Sequence, residues 1–198
     1  MARPRKVSDE QVYEAAMRVM SRVGPSELTL AAIAAEAGVT AGALVQRFGS
    51  KRDLMLRMAR LLSTDTREFF RRLRAEHDSP LEMIRAYGAC MADMAVTPEA
   101  LTRNFAYLQA DLEDPDLREQ LVVMASETRR ELLSLVRSAK ERGELRSETP
   151  GAELVSNIEA IVSGALLTWA FHRKGKAADW LRRHVDALLR PYLARPGT

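Results

Sequence analysis

The sequence predicts an all-α protein of about nine helices, with a small N-terminal three-helix helix-turn-helix headpiece and a larger C-terminal helical bundle. Three observations predict it. Apolar residues recur at intervals of three and four along most of the chain, the period of one buried helix face. Pro80, Pro98, Pro115 and Pro150 each follow a residue able to cap a helix: Ser79, Thr97, Asp114 and Thr149. Proline fits the first helical turn, whose amide has no internal partner, and it drives the preceding residue into the extended geometry of an N-cap. Finally, no stretch alternates apolar and polar side chains as a half-buried strand does. With 198 residues, 46% hydrophobic and 29% charged, the chain has enough apolar material for a sizeable core and is not of disordered composition.

The elements follow in order. The first six residues form a basic arm carrying Arg3, Arg5 and Lys6, either a solvated tail or a phosphate or minor-groove contact. Ser8 opens the first helix with Gln11 as its capping-box partner, and Val12, Ala15, Ala16, Val19, Met20 and Val23 mark its buried stripe. Gly24-Pro25 ends it. Leu30, Ile33, Ala34 and Ala37 define a short second helix that starts at Thr29 and stops at Gly38, a residue able to take positive φ. Thr40 caps a third helix in which Leu44 and Phe48 face inward, leaving Ala41, Gly42, Val45, Gln46 and Arg47 outside. Two helices this short bury too little alone, so the first helix braces them.

Two helices locked around a tight turn, the second with a small-residue outer face, are what a helix-turn-helix needs to enter a major groove. The charge distribution agrees. The net charge is +3, but residues 1–60 hold ten Lys/Arg against six Asp/Glu, giving +4, while residues 61–198 hold twenty against twenty-one, giving −1. The expected DNA-facing residues are Thr29, Thr40, Ala41, Gly42, Gln46, Arg47 and Lys51. Gln46 suits adenine, with backbone contact and solvent as alternatives, and Arg47 suits phosphate ahead of base. Thr29 and Thr40 cap first and touch DNA second. Lys51, at a helix N-terminus beside free amides, makes a phosphate site or a solvated surface.

Ser50 caps a fourth helix running to about His77, with Leu54, Met58, Leu61, Leu62, Phe69 and Leu73 inward. It links a headpiece of residues 1–52 to a bundle of residues 53–198. The bundle helices are expected at 80–95, opened by a Ser79–Glu82 capping box, and at 98–110, 115–142, 150–173 and 177–193. Pro191 perturbs the last turn. The helix from Pro115 to Gly143, about 42 Å long, carries Leu117, Leu121, Met124, Leu132, Leu135 and Val136.

The run Ile33-Ala34-Ala35-Glu36-Ala37-Gly38-Val39, with Gly42, Leu44, Phe48 and Ser50-Lys51-Arg52-Asp53-Leu54 after it, resembles the DNA-binding signature of the TetR (tetracycline-repressor) family of bacterial regulators. Beyond the N-terminal part, the likeness extends only to helix number and length. It implies a transcriptional repressor that binds a palindromic double-stranded operator and is released by a small apolar or aromatic effector. Where the family usually carries a Tyr that contacts a phosphate, this chain has Val45, so Gln46 and Arg47 carry more of the interaction. The resemblance also turns a Met-rich and aromatic set, otherwise read as plain core, into an expected effector pocket: Met58, Leu62, Tyr87, Met91, Asn104, Phe105, Leu108, Met124 and Trp169. Met94 belongs to the same Met-rich stripe.

The last two helices are over-supplied with apolar residues, and Leu154, Ile158, Val162, Leu166, Val185 and Leu188 are the expected homodimer interface. One headpiece makes few base contacts, each worth about 1–3 kcal/mol, so selective reading needs two copies about 34 Å apart. Asp111, Glu113, Asp114 and Asp116 cluster at a helix junction, where caps and first-turn acids belong, and no metal or cofactor is expected. Cys90, the single cysteine, suits a reducing compartment. No catalytic motif is present. The longest apolar run, Ala160 to Phe171, is too short to span a bilayer, which with the absence of a signal-like N-terminus suggests a cytoplasmic protein without membrane partners. The rival reading is a ligand-binding or scaffold protein that keeps the headpiece without reading sequence.

Overall fold

The computed structural model describes residues 7–92 and 97–194; Arg3, Arg5, Lys6 and Met94 lie outside them. Among the described residues there are nine α-helices: α1 Asp9–Met20, α2 Leu30–Ala37, α3 Ala41–Phe48, α4 Lys51–Glu76, α5 Pro80–Met91, α6 Pro98–Glu113, α7 Pro115–Glu141, α8 Gly151–His172 and α9 Ala177–Leu189. A 3-10 turn over Arg190–Tyr192 follows, where Pro191 has no amide to continue the helix. The only extended pairing among these residues is an isolated antiparallel bridge, Leu145 with Leu193. The chain divides into two compact units, one of residues up to Ser63 with Thr102–Leu121, the other of Thr64–Leu101 with Val122 onward.

The first unit is built on α1, α2, α3 and the start of α4. Val12, Ala16 and Val19 of α1 meet Leu28, Ile33, Ala34, Leu44, Phe48, Leu54 and Met58 in one buried cluster, which Tyr107 of α6 completes. Full burial of such side chains contributes about 1.5–3 kcal/mol each. The Tyr107 hydroxyl donates to the Val23 carbonyl at 3.0 Å. Arg52 holds the opposite end, with Nε to Asp114 and Nη2 to Asp116, both at 2.6 Å. Asp114 at the same time accepts the Asp116 and Leu117 amides, so the acidic cluster caps α7 and also receives Arg52.

The second unit packs α9 against α5 and α8. Ala177, Leu181, Val185 and Leu189 form the buried stripe of α9. Gly88 lies where α5 meets it, and a Cβ there would sit 3.1 Å from Val185 Cγ2, a tight contact. Trp169 is buried, and its indole N–H donates to the Gly175 carbonyl at 3.1 Å. Phe70 stacks on Tyr87 with centroids 5.7 Å apart. Arg67 pairs with Glu127 and Arg74 with Glu131, joining α4 to α7.

Several expectations need correction. Thr149 does not cap α8: its hydroxyl oxygen is buried without a partner, and the helix begins one residue later. At α5, the Ser79 oxygen accepts the Glu82 amide as expected, but the Glu82 carboxylate turns to Arg85 at 2.6 Å. Glu144 instead accepts from the Ser79 hydroxyl and the Leu81 amide. On α4, Leu61 and Leu62 are exposed while Phe70 is buried. Leu154, Ile158, Val162, Leu166 and Val185, expected at a dimer interface, are buried inside one chain, and Leu188 is partly buried. Apolar periodicity marks burial without saying against what. Finally, α8 is long and apolar enough to cross a membrane by length and composition. Its stripe Leu154, Ile158, Val162 and Leu166 is nevertheless buried within the protein.

Candidate nucleic-acid interface

The site is a helix-turn-helix whose two helices are capped by the residues the sequence designates. Thr29 Oγ1 accepts the Ala32 amide at 3.1 Å and Thr40 Oγ1 accepts the Ala43 amide at 3.2 Å. Between them Gly38 takes φ +70°, the left-handed geometry that ends α2 and would strain any side chain. Leu44 and Phe48 are buried, so α3 is fixed by one side, and its other residues face solvent.

That exposed face holds Ala41, Gly42, Ala43, Val45, Gln46 and Arg47. A Cβ on Gly42 would meet open space. Val45 is 51% exposed, an apolar group placed where packing does not call for it. Helical geometry sets Gln46 roughly opposite the buried Leu44–Phe48 pair. Arg47 is engaged differently from what the sequence suggests: its Nη1 donates to the Val7 carbonyl at 2.6 Å, its Nη2 pairs with the Asp9 carboxylate, and its guanidinium lies 5.5 Å from the Phe48 centroid. Arg57 approaches the same ring at 5.3 Å. The Lys51 ammonium donates to the Pro25 carbonyl at 3.1 Å, which leaves two of its three protons for another acceptor.

Electrostatics hold the motif from behind. Glu36 of α2 pairs with Arg22 and with Arg18, the latter at 2.7 Å. Hydrogen bonds from Arg22 first and Arg18 second keep the Glu36 carboxyl below the usual carboxylate range. Sequence reasoning missed both Asp9 as the partner of Arg47 and Arg52 as the partner of Asp114. Nothing in local spacing signals a pair 62 residues apart.

The expected effector residues fall in both units. Met58, Leu62, Asn104, Phe105 and Leu108 belong to the first unit; Tyr87, Met91, Met124 and Trp169 belong to the second. Met58, Tyr87 and Trp169 are buried, Leu62, Leu108 and Met124 are exposed, and Met91, Asn104 and Phe105 are partly buried. Met58 and Leu62 line a groove of about 420 Å³ with Tyr13, Met17 and Leu61. A groove of about 680 Å³ in the second unit carries His77, Arg85, Arg182, Asp186 and Arg190 together with Ala86, Ala89 and Leu193 on its walls. Burial pushes the Tyr87 phenol up to about 12.

A capped helix-turn-helix that leaves the outer face of its second helix bare, followed by a helical bundle, is the architecture of a DNA-binding transcriptional regulator. Residues 12–58 match the model of the bacterial regulatory proteins, tetR family, and residues 105–185 match that of the tetracyclin repressor-like C-terminal domain. The chain belongs to the tetR family. It is 26% identical over 171 residues to the HTH-type transcriptional repressor BepR of Brucella suis, covering 84% of this chain and 82% of that one. Its fold is similar to that of a TetR transcription regulator from Haloarcula marismortui, with a TM-score of 0.77 at 14% identity over 93% of this chain and 97% of that chain. The transcriptional regulator FadR from Bacillus subtilis, solved in complex with stearoyl-CoA, matches with a TM-score of 0.69 at 17% identity, over 91% and 97% of the two chains.

Proposed function

We propose that this regulator is a homodimeric repressor that binds a palindromic operator in cytoplasmic DNA and leaves it when a small apolar or aromatic effector binds. The exposed face of α3 carries the reading, since Gln46 and the small residues before it face solvent and, among the described residues, pack against nothing else. Residues 1–52 supply the DNA-facing groups, Thr29, Thr40, Ala41, Gly42, Gln46 and Lys51, with Arg47, paired to Asp9, beside them. Residues 53–198 supply the effector site and the dimer contact. Met58, Leu62, Tyr87, Met91, Asn104, Phe105, Leu108, Met124 and Trp169 remain the candidate effector residues.

For the dimer, α8 offers a better face than its buried stripe. Ser156, Ala160, Ser163, Gly164, Leu167 and Phe171 are all exposed and recur at helical spacing. Phe171 is 72% exposed. Small residues let two copies approach closely, and a two-fold axis needs one such self-complementary face.

Release is a population shift: an effector that binds one arrangement of the bundle better by about 1–3 kcal/mol changes operator affinity 5–150-fold. Helix α4 has residues in both units and is the natural carrier of that change. The test is a selection on randomised duplex DNA followed by anisotropy titration of the winner at several salt concentrations. An enriched palindrome, and affinity falling steeply with salt, are expected. Weak, unselective binding would favour the scaffold reading.

A further inference from the structure

The polar side chains of α3 differ in what already holds them. Arg47 is clamped on three sides, by the Val7 carbonyl, the Asp9 carboxylate and the Phe48 ring. The Asp9 oxygen it meets is shut off from solvent. Drawing the guanidinium out toward DNA would break all three of these contacts at once. Beside it, Gln46 points outward with no bond among the described residues, and Val45 is half exposed.

We propose that Asp9 withholds Arg47 from DNA, making it a positioning residue, and that α3 thereby reads an A·T-bearing step through Val45 and Gln46. This rests on the DNA-binding reading above. In the major groove guanine shows two acceptors, which arginine matches best, whereas adenine shows one acceptor and one donor, the complement of a glutamine amide. Valine offers no hydrogen bond, so among the major-groove edges it is rewarded only by the thymine 5-methyl group. The first turn of α3, Ala41, Gly42 and Ala43, adds no polar reader and keeps the approach close. The clamp also ties the C-terminal end of α3 to the N-terminus of α1, fixing the angle at which Gln46 meets the groove.

The experiment is the same selection on randomised duplexes, run on wild type, Val45→Ala, Gln46→Ala, Arg47→Ala and Asp9→Asn. Anisotropy then follows on the winning duplex with each thymine replaced in turn by uracil. The expected outcome is an A·T preference at adjacent positions of each half-site, the adenine preference being lost in Gln46→Ala. At one position uracil weakens wild type about fourfold, the worth of one buried methyl, and leaves Val45→Ala unaffected. Arg47→Ala and Asp9→Asn each weaken binding without changing the selected sequence, their combination is no weaker than either alone, and the salt slope stays that of wild type.

A guanine preference erased by Arg47→Ala, or a salt slope reduced by about 0.9 in that variant, would overturn the proposal. So would indifference of wild type to every uracil, a result that needs no variant to fold. A wild type that selects no sequence at all would overturn the DNA-binding reading itself.

Discussion

The short helices α2 and α3 and the long helices of this chain use their apolar residues in opposite ways. In the first, helices of eight residues turn every large apolar group of α2 and α3 inward except Val45, so what remains outside is a bare reading face. In the second, helices of up to 27 residues have apolar groups to spare, and Val122, Val123, Leu167 and Phe171 stay exposed after the core is filled. A short helix has so few apolar groups that one left outside is conspicuous. On the longer helices of either unit, where Met17, Leu61, Leu62, Leu108 and Leu112 are exposed as well, such a group marks a surface without saying what covers it.

Core truncations test this most forcefully. Phe48→Ala should cost about 3–5 kcal/mol, because the ring is buried and Tyr13, Arg47 and Arg57 all pack on it; chemical denaturation followed by circular dichroism measures it. Trp169→Ala should cost a similar amount in the second unit and also orphan the Gly175 carbonyl. If both variants melt the whole chain in one transition, the units unfold as one; two transitions would sharpen the distinction.

The next effect is alkaline. A phenol whose folded pKa lies above its unfolded value favours the folded state below about pH 10 and loses that contribution as pH rises toward about 12, the folded value of Tyr87. The second unit should therefore lose on the order of 2–3 kcal/mol across that window, with phenolate absorbance lagging behind that of the unfolded chain. The first unit should show the reverse at the acid end. Glu36 and Asp114 have depressed folded pKa values, so their contribution is present above about pH 4.5 and fades as pH falls through those values. A first unit indifferent to acid would show that the Arg18, Arg22 and Arg52 pairs contribute nothing measurable.

Smallest is the cap. Thr40→Ala should lower stability by about 1 kcal/mol, read from the denaturation midpoint, while Thr40→Ser should restore most of it. Dimerisation has its own check: Leu167→Glu with Phe171→Glu should yield monomers in sedimentation, whereas a dimer that persists would move the interface off α8.

How much of this was legible follows from range. Ser8 with Gln11, Thr29, Thr40, Gly38 and the inward pair Leu44 and Phe48 act within four residues, and the structure shows each in its expected place. The nine helices were legible for the same reason, since Ser79, Thr97 and Asp114 cap where proline punctuates. Thr149 failed because burial, which local sequence does not report, closed off its hydroxyl. Leu61 and Leu62 failed because α4 is apolar on more sides than its neighbours cover. The holding of Arg47 by Asp9 was illegible, since only the folded headpiece brings residues 38 positions apart into contact.

Arg52 and Tyr107 have a bearing on inheritance. Many regulators are pictured as interchangeable heads on interchangeable bodies. Here a head cut after Arg52 would leave behind Tyr107, which fills the core, as well as Asp114 and Asp116, which hold Arg52 itself. A transplanted head needs residues 102–121 to travel with it. A single crossover after Arg52 would therefore part the head from side chains that complete its own core and hold its last arginine.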